Sequence, residues 1–410
     1  MSEYKYNDNG LKQLQSLPLE YKIRMTKQRI KVWYESWVRF KIENLDTGKV
    51  RWETFDMRGR YDPPIKENEF AEAYPGSVYV SFSGGKDSTV LADICAQVCE
   101  WYGWTLYLCF VNTGLEYPEI QKFVKTFADW LREKYDIEVV LDVIRPEMRF
   151  DQVLKTYGYP VISKEVSQTI CEARKNAETG KYTYRLKKLN GEAVDKDGNP
   201  SQYNIPQYKP LLDVPFLVSH QCCDVMKKAP AKRYEKETGR LPIIATLASE
   251  SRLRYSKWKK SGCNAFDLKR PTSQPMSFWT EQDILHYIKK YDVPYCSVYG
   301  DIRVKPHGDC LEGQIDLIDY LGCYEPEDTL VTTGCDRTGC IFCLFGCHLE
   351  KGQTRLQRLK QTHPRQYEYC IGGGAYNDDG IWQPNKQGLG LGNVCDTLNA
   401  IYGDDFIRYK

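Results

Sequence analysis

Two groups of residues in this sequence have the types and spacing that chemistry requires. The first is Ser83-Gly84-Gly85-Lys86-Asp87-Ser88, which follows the apolar run Val78-Tyr79-Val80-Ser81-Phe82 and precedes a helical pattern over 89–100. Glycines let a backbone turn sharply with positive φ and approach a ligand closely. A strand–loop–helix junction also aims free N–H groups and the positive end of a helix dipole at its crevice, which suits phosphate. Lys86 adds a point charge, and Ser83 and Ser88 add hydroxyls. The common P-loop needs Gly-Lys followed by Ser or Thr; here Asp87 follows Lys86, so this is a different loop. Asn112-Thr113-Gly114 closes the next strand candidate and would face the same crevice, because ligands sit outside the carboxyl ends of parallel strands. Ser81, at the end of the first strand, joins the same set.

The second group runs from Gly334 to His348 and contains Cys335, Cys340, Cys343, Cys347 and His348. The Cys340-Ile341-Phe342-Cys343 spacing brings two thiolates to one side of a turn, where they can chelate a metal ion or a cluster edge. One pair is incomplete. The adjacent Cys222 and Cys223 are the best remote partners, and Cys263, Cys335 and Cys347 are replacements that spacing alone does not rank. Soft thiolates select zinc or iron–sulfur over hard cations, and both remain open at this level. Cys95, Cys99, Cys109 and Cys171 lie on apolar patterns and read as small hydrophobes. His348 is a candidate for metal or phosphate, and Arg252, Arg254, Lys227 and Lys228 are candidates for anion contact.

The elements that must position these residues are legible in part. The chain has 410 residues, 41% of them hydrophobic, which allows a large core with appendages. Lysine plus arginine (57) nearly balance aspartate plus glutamate (55), so any basic surface must be local. Met1 to Gly10 is polar, and no run of eighteen apolar residues occurs, so a cytoplasmic chain without a membrane segment is expected. In that reducing setting the sixteen cysteines point to metal or redox chemistry before disulfides.

Spacing predicts helix over 11–45 and a hairpin around Asp46-Thr47-Gly48. Strand, helix, strand, helix and strand follow over 78–144, which implies right-handed crossovers and a parallel sheet. Helices are expected at 150–157 and 163–178, an inserted hairpin at 180–215, and a strand at 242–247. A helix over 279–291 would start at Thr280 with Asp283 three residues on. Beyond residue 300 regular structure is hard to read, and the glycine-rich stretch 372–392 reads as loop. The expected fold is α/β: a doubly wound parallel sheet at 66–300, an N-terminal helical region and hairpin at 1–65, and a Cys-rich metal-binding region at 301–410.

The glycine loop resembles the pyrophosphate loop of the PP-loop ATP pyrophosphatases, an adenine nucleotide alpha hydrolase-like fold. Phe110-Val111-Asn112-Thr113-Gly114-Leu115-Glu116-Tyr117-Pro118-Glu119, Cys222-Cys223-Asp224-Val225-Met226-Lys227-Lys228-Ala229-Pro230 and Trp279-Thr280-Glu281-Gln282-Asp283-Ile284 are similar to segments of the phosphoadenosine phosphosulfate (PAPS) reductase branch. Asn112 stands where that branch usually has Asp. The resemblance runs from about residue 76 to 350. It implies nucleotide contacts at Ser81, Ser83, Gly84, Gly85, Lys86, Asp87, Ser88, Asn112, Thr113, Gly114 and Arg252, with Lys86, Asp87 and Ser88 nearest the chemistry. It also implies a [4Fe-4S] cluster on Cys222, Cys223, Cys340 and Cys343, with zinc as the alternative.

What the resemblance implies about activity divides. An ATP pyrophosphatase would hold ATP with Mg2+, adenylate an acceptor, release pyrophosphate and prepare sulfur transfer, with a nucleic acid as acceptor and a sulfur-donor protein as partner. A sulfonucleotide reductase would make sulfite, but its Glu-Cys-Gly-x-His motif is absent, and such enzymes tend to carry a degenerate loop where this one is intact. A metal-stabilised nucleotide-binding regulator is the non-catalytic alternative.

Overall fold

Leu19–Ser36 is the first long helix of the computed structural model, which describes residues 8–58, 65–305 and 328–410. The chain divides into two units. The first holds residues 1–112, 117–144 and 231–338, and the second holds 113–116, 145–230 and 339–410.

In the first unit, helices Asp8–Gln15 (α1) and Leu19–Ser36 (α2) precede three antiparallel strands, Trp37–Asn44 (β1), Val50–Asp56 (β2) and Glu69–Pro75 (β3), ordered β2-β1-β3. The helix expected over 11–45 is therefore too long. Ile23, Ile30, Trp33 and Tyr34 keep the helical spacing and are buried. From Trp37 the apolar period shifts to two, with Phe40 and Ile42 buried, and β1 finds a partner on each side. The Asp46-Thr47-Gly48 turn forms as read, with Asn44 Oδ1 accepting from the Thr47 N–H at 2.9 Å.

The main sheet is mostly parallel. Strands Val78–Ser81 (β4), Leu106–Val111 (β5) and Val139–Ile144 (β6) alternate with helices Lys86–Tyr102 (α3) and Pro118–Lys134 (α4). The sheet order is β6-β5-β4, then Leu241–Ile243, Thr272–Ser273 and Asn264–Ala265. β4 thus has β5 on one side and the later strand Leu241–Ile243 on the other. Strand order reverses there, and the crevice at such a switch point is where open α/β sheets bind ligands. Val78, Val80, Leu106 and Leu108 are fully buried, as a two-sided parallel sheet demands. Cys95, Cys99 and Cys109 are buried in this core, as the apolar reading expects. Helix Glu281–Lys290 starts on a capping box of Thr280 and Asp283. The strand expected at 242–247 spans only Leu241–Ile243.

The second unit is mainly helical. Helices Phe150–Tyr157 and Lys164–Thr179 match expectation, the latter capped by Ser163, whose hydroxyl accepts from the Val166 N–H at 3.1 Å. Cys171, on the second of these, is only half-buried. The hairpin expected at 180–215 is mostly something else. Tyr184–Asn190 is helical, and Gly191 ends it in the left-handed conformation, so Asn190-Gly191 is a helix stop rather than a hairpin turn. Only the Val194–Pro200 bridge keeps hairpin character.

Past residue 339, short strand Leu344–Phe345 pairs parallel with Val161–Ile162, and helices form at Arg355–Thr362, Pro364–Ile371 and Leu391–Tyr402. Within 372–392 a Cβ on Gly373 would lie 2.2 Å from the Gly388 backbone nitrogen, so close backbone packing explains glycine there. Among the described residues no helix is long and apolar enough to cross a membrane.

Candidate functional site

The glycine loop leaves β4 at Ser81 and enters α3 at Lys86. Gly84 has φ +71°, and a Cβ there would stand 2.9 Å from both Ile120 Cγ2 and Val124 Cγ2 of α4, so sterics and backbone both select glycine. Ser83 and Ser88 fold the loop back on itself. Their hydroxyls are 3.0 Å apart, the Ser83 N–H donates to Ser88 Oγ at 3.2 Å, and Ser88 Oγ donates to the Gly85 carbonyl at 2.9 Å. Gly85 is the N-cap of α3 and brings no side-chain cap. The positive end of a seventeen-residue helix therefore opens on the loop.

Lys86 is buried, and its position is set by residues the sequence reading missed. Its Nζ lies 2.6 Å from the Asp336 carbonyl and 2.8 Å from the Glu281 carboxylate. Its backbone N–H donates to the Tyr299 hydroxyl at 3.1 Å, and that hydroxyl is 2.8 Å from Thr338 Oγ1. Burial raises the Asp87 carboxyl above its ordinary range, opposed by Lys86, Arg337 and Arg254. Arg254 and Arg337 both pair with Glu250, the latter at 3.1 Å. Three cations thus surround the loop within one unit. Arg254 is legible from the sequence as an anion contact, whereas Arg337 and Thr338 lie within the cysteine-rich segment 334–348 and carry no signal of their own. Tyr299 carries no local signal among 30 tyrosines. Arg252 is exposed at the first turn of helix Arg252–Ser261.

Asn112 ends the β5 side of the crevice, its N–H donating to the Ile144 carbonyl at 2.8 Å. Thr113 and Gly114 belong to the second unit. The Thr113 hydroxyl donates to Glu116 at 2.7 Å, and Thr113 and Gly114 line a cleft there.

Cys222, Cys223, Cys340 and Cys343 come together in the second unit. All four line one small cavity of about 20 Å³, walled by Leu115, Phe150, Pro160 and Met226, with Lys227 as its cation. Cys223 leads into a π-helical turn, Asp224–Lys228, a feature frequent at functional sites. The Cys340–Cys343 turn is closed by a 3.1 Å bond from the Cys343 N–H to the Cys340 carbonyl. Cys222 Sγ and Cys223 Sγ are 4.0 Å apart, and the thiol hydrogen bond from Cys222 to Cys223 lowers Cys223 and raises Cys222. Burial raises Cys340 and pushes Cys343 to about 11. Thiols so placed become thiolates readily only when a cation compensates them, so the donor set fits a metal group. Among the described residues no three His, Cys, Asp or Glu converge to hold one metal ion.

The replacement cysteines stand elsewhere. Cys263 and Cys335 are buried in the first unit. Cys347 shares the second unit, its thiol donating to the Cys343 carbonyl at 3.3 Å, and burial pushes it up to about 12. His348 stacks on Phe406 with ring centroids 5.1 Å apart, and its Nδ1 is buried without a partner. Lys228 is taken by Asp224 at 2.6 Å.

The sequence matches the phosphoadenosine phosphosulfate reductase domain over residues 77–196 and 181–344, together well over half of the chain. No curated protein matches it. Among solved structures, U34-tRNA thiolase NcsA from Methanococcus maripaludis with its [4Fe-4S] cluster is similar at 15% identity, with a TM-score of 0.29. That match covers 67% of this chain and 66% of that one.

Proposed function

Because the chain belongs to the phosphoadenosine phosphosulfate reductase domain family, we propose that it is a PP-loop enzyme that binds ATP and adenylates an acceptor for sulfur transfer. The observation that carries this reading is the intact loop at the sheet's switch point, with Lys86, Arg254 and Arg337 around Asp87.

The loop amides, Ser83 and Ser88 hold the β,γ-phosphates of ATP with Mg2+, and Lys86 neutralises charge there. Asp87 would help to hold the Mg2+, while Ser81, Asn112 and Arg252 would border the nucleotide, with Thr113 and Gly114 next in the chain. An acceptor oxygen bonds to the α-phosphorus as the bond to the pyrophosphate oxygen breaks. Adenylated acceptor and pyrophosphate result, and a sulfur nucleophile then displaces AMP. Positioning and charge neutralisation supply the catalysis. The acceptor is a nucleic acid, of the tRNA-thiolation or DNA-phosphorothioation type, served by a sulfur-donor protein in the cytoplasm.

Cys222, Cys223, Cys340 and Cys343 hold a [4Fe-4S] cluster, which supplies a site for handling sulfur when bound. Thiols that ring a cavity suit a cluster better than one tetrahedral zinc. The second reading, a sulfonucleotide reductase, is favoured by the family match itself and opposed by the missing Glu-Cys-Gly-x-His motif.

The test is anaerobic purification, iron and sulfide assay, and pyrophosphate release from ATP with tRNA or DNA offered. A brown protein that releases pyrophosphate supports the first reading. Sulfite from a phosphosulfate nucleotide without ATP turnover moves the assignment to the reductase. A colourless protein that binds ATP and leaves it intact is the regulator.

A further inference from the structure

The cavity of the four thiols has a neighbour in the second unit. A cleft of about 200 Å³ is bordered by Thr113, Arg149, Asp151, Phe342 and Tyr369. Leu115 and Phe150 line both spaces, so they form a shared wall. Phe150, Phe342 and Tyr369 make a continuous aromatic side, with ring centroids 6.5 Å and 6.2 Å apart along the series. The first two side chains are buried, whereas Tyr369 is 38% exposed and lines the cleft. At the mouth stands an ion pair, Arg149 to Asp151, with nitrogen–oxygen distances of 3.1 and 3.2 Å and the Arg149 side chain 77% exposed.

We propose that this cleft seats one nucleobase of the acceptor nucleic acid, stacked on Tyr369 with its polar edge toward Arg149 and Asp151. The inference rests on the reading of a nucleic-acid acceptor and names where that acceptor is held. An aliphatic ligand would have no use for a donor and an acceptor side by side at the edge of a ring. A base has that need, since it carries a π-face and both donors and acceptors on its edge. The volume is smaller than that of clefts for drug-sized ligands, which suits an occupant no larger than a single base. The shared wall gives the placement its use: a base in the cleft lies one layer of side chains from the thiols.

The experiment measures fluorescence anisotropy of labelled ten-nucleotide single-stranded RNA and DNA of mixed sequence, and of an abasic strand of equal length, on the anaerobically purified full chain. Wild type should bind base-bearing strands more tightly than the abasic strand. Tyr369→Ala should weaken base-bearing strands by about tenfold, the worth of one stacked base, and leave abasic binding unchanged. Tyr369→Phe should retain affinity and guards against a folding defect in the alanine variant. Arg149→Ala should narrow the base-over-abasic preference. Equal affinity for base-bearing and abasic strands, or an unchanged Tyr369→Ala, overturns the proposal. Displacement of the strand by millimolar ATP also overturns it, because the cleft would then be the adenine seat. Pyrophosphate release from ATP is read separately, so loss of the ATP reading and loss of the base cleft are distinguishable.

Discussion

Lys86 and Glu281 form an ion pair at 2.8 Å in which the lysine side chain is 5% exposed and the glutamate 50%. The loop lysine is thus held by a carboxylate of its own unit, and on the proposed reading a triphosphate would have to displace that carboxylate. The pair keeps a buried ammonium compensated, and on the same reading it would do so at the expense of affinity for ATP. Glu281→Gln should strengthen ATP binding several-fold, about 1 kcal/mol for a half-exposed pair. Lys86→Ala should abolish pyrophosphate release. Calorimetric titration with ATP and Mg2+ checks the first, and unchanged or weaker binding in Glu281→Gln would show that the carboxylate serves the nucleotide instead.

Four thiols on one cavity and two on another unit make a second, separable expectation. Serine in place of Cys222, Cys223, Cys340 or Cys343 should reduce iron from about four per chain and bleach the visible absorption. Serine at Cys263 or Cys335 should leave both unchanged, since these lie in the first unit. Cys347→Ser tests the nearest alternative, whose thiol is already engaged by the Cys343 carbonyl. Iron retained in the first four and lost in Cys335→Ser would redraw the ligand set.

What the sequence discloses about these sites follows the range of the interactions. The strand–loop–helix at Val78–Lys86 was legible because local rules act within ten residues: an apolar run, a glycine turn, a helical pattern. The helix stop at Ser36 was not, because Trp37–Asn44 is a strand only by virtue of partners on both sides. The Tyr299 hydroxyl and the Arg337 charge act on the loop from more than two hundred residues away, and no spacing rule spans that distance. The pairing of Cys222 and Cys223 with Cys340 and Cys343 was proposed from resemblance; their shared cavity is a fact of folding. The helices past residue 350 are short, and their few buried apolar residues, Leu356, Leu359 and Tyr367, give too little period to be read from sequence.

Gly84 carries a sharp steric test. An alanine there would adopt φ near +71° with its Cβ 2.9 Å from two γ-methyls of α4. The conformation costs on the order of 1 kcal/mol and the contacts more, so Gly84→Ala should lose about 2–4 kcal/mol of stability or shift the loop. Urea unfolding monitors the first outcome and ATP affinity the second. A variant with wild-type values of both would mean that α4 yields at that point.

Glu69 sets a pH dependence in the three-stranded sheet. Arg51 grips it with Nη1 at 2.5 Å and Nη2 at 2.9 Å, and these bonds with the Lys66 N–H hold the carboxyl down to about 2. A carboxyl depressed on folding contributes stability that is complete above its unfolded value, about 4.3, and is lost as pH falls toward 2. The difference in urea midpoint between wild type and Glu69→Gln should be constant from pH 7 to 5 and shrink between pH 4.3 and 2. A difference independent of pH would assign the pair no electrostatic role.

Lys22 and Asp283 give the largest expected single-residue effect outside the candidate sites. The Lys22 side chain is 3% exposed, and its Nζ donates to both Asp283 oxygens at 2.7 and 2.8 Å, joining α2 to helix Glu281–Lys290. The same carboxylate accepts the Thr280 N–H at 2.7 Å, so it is also half of a capping box. Asp283→Ala strands a buried ammonium and uncaps a helix. Removing one partner of a buried pair costs about 3–5 kcal/mol, and the lost cap adds about 1 kcal/mol. Lys22→Met removes the charge that needs compensation and keeps the apolar stem, so it should cost much less. In the double variant Lys22→Met/Asp283→Ala the aspartate change should cost little beyond the cap, because no ammonium is left unpaired. A double-mutant cycle by urea unfolding measures this coupling. Additive losses would mean that water reaches Lys22 and satisfies it, and that the pair binds the two helices only weakly.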